Sequence, residues 1–249
     1  HFAIRRQRQM CIRDSCNSEE KLKLMRIDVL TLFPDVFENL NSFSIIKKAV
    51  DSNKVEIKTH NLREFADNSR KVDDYPYGGF PGMVIKIEPI DRCIEKLKET
   101  KNYDEIIYLT PDGDLLNQKT ANHFSTLSNI IIICGHYKGI DHRVREHLVT
   151  KEISIGEFVV SGGELPAAVL CDSIIRLLPG IIGDESSALS DTFQDNLLSP
   201  PIYTRPEIYK GMKVPKVLLS GNDKEIQKWN DEKSIERTKL LRPNLFDND

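Results

Sequence analysis

Residues Asn129–Cys134 read NIIIIC, four isoleucines in succession with a glycine immediately after them. A half-exposed strand would alternate apolar and polar residues, and this run does not. It needs cover on both faces, which is how strands of a parallel sheet lie between two layers of helices. The flanking pattern agrees. Strands are expected at 26–33 (RIDVLTLF, stopped by Pro34), 54–59, 105–110 (EIIYLT, broken by Pro111-Asp112-Gly113) and 152–155. Helical spacing is expected at 35–51, with Asp35 as its cap, and at 88–98, 117–127, 141–149 and 165–178, the last ended by Pro179-Gly180. Alternation of this kind marks an α/β fold with a mainly parallel sheet.

The ends of the chain differ from this body. Residues 1–24 hold six basic and three acidic residues without an apolar period, and read as a non-native or disordered leader before a start at Met25. Residues 25–182 form the expected main domain. Residues 183–196 are acidic, Ser-rich and poor in apolar side chains, and read as a flexible linker. Residues 197–249 read as a small helical domain, with one long charged helix over 222–241 that carries the single tryptophan, Trp229.

Composition excludes several classes. The 249 residues are 39% hydrophobic and 29% charged, which is globular rather than disordered or fibrous. No apolar run reaches the roughly 18–20 residues of a membrane-spanning helix. Five cysteines, an odd number without a C-x-x-C pair, speak against a disulfide framework or structural zinc and for a reducing cytoplasm. The net charge is −3, but residues 25–196 hold 19 basic against 27 acidic side chains, a net of −8, whereas residues 197–249 carry +2. Any polyanion must therefore be met locally, and the C-terminal part is the expected platform.

Ligands of open parallel sheets bind beyond the carboxyl ends of the strands. Three loops stand there: Thr110-Pro111-Asp112-Gly113, Cys134-Gly135-His136-Tyr137-Lys138-Gly139, and GEFVVSGG over 156–163. Their glycines let bare backbone approach a ligand, which points to a nucleotide-like or adenosyl molecule. No G-x-G-x-x-G follows the first strand, and no phosphate-binding P-loop, nucleophile elbow or H-E-x-x-H occurs. Candidate acid–base groups are Asp191, Glu157, Asp141, Asp172 and His136, and spacing does not choose among them.

Six motifs in order carry a resemblance. They are VDDYPYGGFPGM (72–83), YLTPDG (108–113), CGHYKGID (134–141), SIGEFVVSGGELPA (154–167), DSIIRLLPG (172–180), and YTRPE with PKVLLSGN (203–207 and 215–222). Together they resemble the bacterial tRNA (guanine-N1)-methyltransferases of the knotted SPOUT class, over nearly the whole chain from Met25. The resemblance implies a deep trefoil knot, a feature otherwise essentially absent from proteins. It implies a bent S-adenosyl-L-methionine held by Tyr108, Leu109, Thr110, Pro111, Gly113, Gly135, Ile155, Gly156, Glu157, Phe158, Val159, Val160, Gly162 and Gly163. It implies a homodimer with each active site shared between subunits, and guanosine 37 of tRNA as target. Asp191, in SALSDTF, would take the N1 proton, Arg176 would stabilise O6, and Ser187 would orient the guanine. Arg205 and the lysines Lys210, Lys213 and Lys216 would meet phosphates. Two residues depart from the family pattern. Lys138 stands where a glutamate linked to Mg²⁺ use is common, and a charged lysine cannot ligate Mg²⁺. Phe80 replaces the middle glycine of Y-G-G-G-P-G-M. The competing readings are a SPOUT ribose 2′-O-methyltransferase and a catalytically weak tRNA-binding protein.

Overall fold

The computed structural model describes residues 24–182, 192–193 and 196–246. Five parallel strands form the main sheet in the order β2-β1-β6-β5-β7: β1 (Met25–Thr31), β2 (Val55–Asn61), β5 (Glu105–Leu115), β6 (Asn129–Cys134) and β7 (Lys151–Ser154). A short hairpin, β3 (Asp73–Asp74) and β4 (Val84–Ile85), lies outside it. The isoleucines of β6 explain the fold's core. Ile130, Ile132 and Cys134 face one apolar layer and Ile131 and Ile133 the other, all fully buried. Burying each isoleucine is worth roughly 1.5–3 kcal/mol.

The first layer is made by helices α1 (Asp35–Asn41), α2 (Ser44–Asp51), α4 (Gln118–Phe124) and α6 (Glu164–Ile175), which contribute Phe37, Ile46, Phe124, Leu170 and Ile174. The second is made by α3 (Ile87–Lys98) and α5 (His142–His147), through Ile90, Cys93, Ile94 and Val144. Asn117 caps α4 and Asp141 caps α5 by accepting backbone N–H bonds.

Three expectations need correction. The helix expected over 35–51 is two helices. The Ser42 hydroxyl donates to the Asn39 carbonyl, and Ser44 takes a positive φ of 35°, so the chain turns between them. Asp35 lies in the first turn of α1 and does not cap it. Strand β5 does not stop at Thr110. It runs on through Pro111 to Leu115 with a register shift between Leu109 and Asp114 against β7, a bulge that leaves Pro111 on the exposed side.

In the C-terminal part, helix α7 (Asp223–Leu241) is capped by Asn222. Its buried Thr238 hydroxyl accepts from the Leu198 N–H and donates to the Ser234 carbonyl. Trp229 packs on Tyr203, with ring centroids 6.4 Å apart. A short hairpin, β8 (Ile208–Tyr209) and β9 (Met212–Lys213), precedes the helix.

Candidate active site

The crossover leaving β5 reaches β6 on one side, and the crossover leaving β6 reaches β7 on the other side of β5. A crevice opens beyond the strand ends at such a reversal. There the structure has a cavity of about 450 Å³, within the range of small-molecule sites. The three glycine-bearing loops make its wall. Every residue expected to hold the cofactor lines it except Gly113 and Glu157. Gly113 serves the fold: a Cβ there would stand 2.6 Å from the Glu152 backbone, so its glycine lets β5 pass close to β7.

The wall is tied together by backbone. Gly163 donates to the Gly135 carbonyl at 2.8 Å, and Gly139 donates to the His136 carbonyl at 2.9 Å. A Cβ on Gly163 would come within 2.7 Å of Cys134 Cα, and one on Gly162 would meet His136 Nδ1 at 2.5 Å and the Glu164 carboxylate. Contact between the two loops therefore requires glycine at both positions, and both line the cavity. Tyr137, which also lines the cavity, holds a left-handed φ of 60°, a conformation costly for a bulky residue and common at functional sites.

An ionic cluster supports one side. Arg145 donates from Nε and Nη2 to both oxygens of Glu152, at 2.7 and 2.5 Å, and from Nη2 to Asp112 at 2.9 Å. Its guanidinium lies 5.7 Å from the centroid of the Tyr108 ring. Bonds from the Thr110 hydroxyl and Arg145 hold the Asp112 carboxyl below the usual carboxylate range, and burial pushes the Tyr108 phenol up. Arg145 is absent from the sequence-derived site. Glu152 stands seven residues away across a turn and Asp112 thirty-three away, so no spacing rule joins them.

On another side, His136 packs edge-on against Phe33, with centroids 5.0 Å apart, and its Nδ1 is buried with no partner among the described residues. The buried Glu164 accepts from the Thr31 hydroxyl at 2.7 Å. His136 was among the acid–base candidates. Asp141 instead caps α5 and pairs with Arg143, while Asp172 is an exposed residue of α6.

Among the described residues, Arg176 and Arg205 do not line the cavity. Arg176 follows the last residue of α6, and Gly163 precedes the first. At 1.5 Å per residue, the backbone of Arg176 stands roughly 15 Å along the helix from Pro166, which lines the cavity. Arg205 is exposed in the C-terminal part. Asp191 and Ser187 lie outside the described residues. No group of three or more His, Cys, Asp or Glu side chains suited to a metal occurs among the described residues, and Lys138 presents an ammonium at the cavity wall. The glycine-rich wall, with Phe158, Val160 and Pro111 on it, fits an adenosyl ligand with one flat apolar end and one polar end.

Comparison with known proteins places this geometry in a family. The family described as tRNA (Guanine-1)-methyltransferase TrmD matches residues 25–248. A tRNA (guanine-N(1)-)-methyltransferase of Christiangramia forsetii is 58% identical over 226 residues, covering 90% of this chain and all of that protein. Relatives of the same name in Bacteroides fragilis and Flavobacterium psychrophilum are each 57% identical, over 224 and 225 residues, with the same coverage. The chain belongs to the tRNA (guanine-1)-methyltransferase family.

Proposed function

We propose that this chain transfers the methyl group of S-adenosyl-L-methionine to N1 of guanosine 37 in tRNA, as a cytoplasmic homodimer of knotted SPOUT subunits. The observation that carries the reading is the gathering of the expected cofactor residues around one strand-end cavity, in a chain matched from end to end of its relatives. No helix among the described residues is long and apolar enough to cross a membrane.

The cofactor supplies an electrophilic methyl on a sulfonium. The protein must position that methyl within about 3–3.5 Å of N1 and remove the N1 proton. Asp191 accepts that proton, and Arg176 donates to O6, where negative charge develops. Ser187 orients the base. Arg205, with Lys210, Lys213 and Lys216, holds phosphates and so positions the tRNA without doing chemistry. On the cofactor side, Gly135, Gly156 and Gly162 keep the wall open to backbone, and Arg145 fixes the Tyr108–Asp112 turn.

Two observations support a shared site. The backbone of Arg176 stands well along α6 from the cavity of its own chain, which supports its presentation by a second subunit. Helix α6 is mostly apolar, and Leu165 and Val169, on the same outer side as the exposed Asp172, are 65% and 49% exposed, and Val159 beside the cavity is 83% exposed. An apolar helix with a bare face calls for a cover, and a two-fold axis supplies the same face from the partner.

The test is transfer of labelled methyl to an unmodified tRNA transcript, followed by nucleoside analysis. N1-methylguanosine is expected. A ribose-methylated product, or binding of tRNA without transfer, overturns the reading.

A further inference from the structure

The loop between β3 and β4 carries three aromatic rings that nothing in the fold uses. Tyr75, Tyr77 and Phe80 are 78%, 97% and 72% exposed. Monomeric proteins scatter single apolar residues over their surface, but three exposed rings within six residues form a feature that asks for a function.

Its place is fixed by backbone. The Lys138 N–H donates to the Met83 carbonyl at 3.0 Å, the Ile85 N–H to the Gly139 carbonyl at 3.0 Å, and the Asp141 N–H to the Ile85 carbonyl at 2.9 Å. The returning arm of the hairpin is thus zipped to the loop that forms one cavity wall. The aliphatic stem of Lys138 lies against Gly82, so closely that a Cβ there would stand 2.8 Å from Lys138 Cγ. Gly82 also holds a φ of +101°, which glycine alone adopts freely. Phe80 is two residues from Gly82, at most about 7 Å along the chain. The loop that carries the rings is therefore tethered beside the cavity wall to which Lys138 belongs.

Cations stand beside the rings: Lys71 and Lys86 pair with Asp74 at 3.3 and 3.9 Å, Arg143 pairs with Asp141 at 2.7 Å, and Lys138 lines the cavity. Exposed rings combined with cations are the surface that takes unstacked nucleobases and their phosphates, because every base offers a flat face to a ring.

We propose that Phe80 and Tyr77 stack on unpaired bases of the tRNA loop beside the base entering the cavity, and that Lys138 contacts the adjoining phosphate. The occupant is single-stranded RNA. The proposal rests on tRNA being the substrate, but not on which atom is methylated.

The test uses the full chain. Phe80→Ala, Tyr77→Ala and the double variant are titrated with an unmodified tRNA transcript, with its isolated anticodon stem-loop, and with a blunt duplex of the same stem. AdoMet affinity is followed by calorimetry and subunit state by sedimentation. The double variant is expected to weaken tRNA and stem-loop binding about ten-fold or more while leaving the weak duplex binding unchanged. Phe80→Trp keeps affinity, because any ring stacks. Lys138→Gln lowers the salt slope of tRNA binding by about one. tRNA affinity within two-fold of the parent overturns the proposal. So does a shift to monomer, which would assign the rings to the subunit interface, or a matching loss of AdoMet affinity, which would assign them to the cofactor cavity. If the parent chain binds the stem-loop through these rings but makes no N1-methylguanosine, this inference stands and the proposed function fails.

Discussion

Each flank of the sheet holds an arginine clasped by two carboxylates, and the two clusters serve different ends. On the β2–β1 side, Arg26 donates to both oxygens of Asp28 at 2.7 and 2.8 Å and to Glu56 at 2.8 Å. Asp28 also accepts from Tyr103 at 2.7 Å and pairs with His60 at 2.7 Å, and it is fully buried. On the β5–β7 side, Arg145 clasps Glu152 and Asp112 in the same manner, but Arg145 and Asp112 line the cavity. The first cluster has its polar atoms turned inward on one another. The second turns one side to the cavity. The same chemical pairing thus holds a sheet in one place and shapes a cavity wall in the other, and burial decides which.

The comparison breaks most sharply at Asp28. Asp28→Ala leaves the mostly buried Arg26 guanidinium with Glu56 as its one remaining carboxylate and takes the shared partner from Tyr103 and His60, and should cost about 3–5 kcal/mol in urea unfolding. AdoMet affinity of the protein that remains folded should be unchanged.

The pH dependence of stability follows from the same group. Burial alone would raise the Asp28 carboxyl, but bonds from His60, Arg26 and Tyr103 outweigh it and hold the carboxyl down at about 2. A carboxylate depressed in the folded state contributes its full stabilisation above its unfolded value of roughly 4 and loses it as pH falls toward 2. Unfolding followed between pH 5 and pH 2 should show that decline, and Asp28→Asn should flatten it.

At the cavity the expected losses are functional. Gly162→Val forces the His136 and Glu164 side chains aside, and these can give way. Stability should fall by about 1–3 kcal/mol, and calorimetry should show AdoMet affinity largely lost. Arg145→Leu should lower AdoMet affinity by roughly ten-fold, with a melting shift of a few degrees, because its pairs are partly exposed. Arg26→Leu should show the reverse pattern, with stability lost and affinity kept. Equal effects of the two arginine substitutions on affinity would erase the distinction between the flanks.

How far the sequence could be read tracks how local the physics is. The burial of β6 on both faces is written in its four isoleucines, and the strand-end loops announce themselves by their glycines. The break between α1 and α2 depends on a serine hydroxyl competing for a carbonyl, which apolar spacing does not register. The passage of β5 through Pro111 depends on which side of a bulge faces outward. Each arginine cluster takes in one partner 30 or more positions away, so it is complete only after folding. The distance between Arg176 and the cavity likewise follows from α6 running unbroken between them, and it underlies the proposal of a site shared between two subunits.

Complementation between subunits tests that statement most directly. Chains carrying Gly162→Val and chains carrying Arg176→Ala are each prepared, then unfolded together, refolded and assayed for N1 methyl transfer to tRNA. If the cavity of one subunit works with Arg176 of the other, each mixed dimer joins one intact cavity to one intact arginine. The mixture then recovers activity that neither parent has, approaching one working site per mixed dimer. If the mixture is no more active than its parents while sedimentation shows mixed dimers present, each site lies within one chain, and the shared site is wrong.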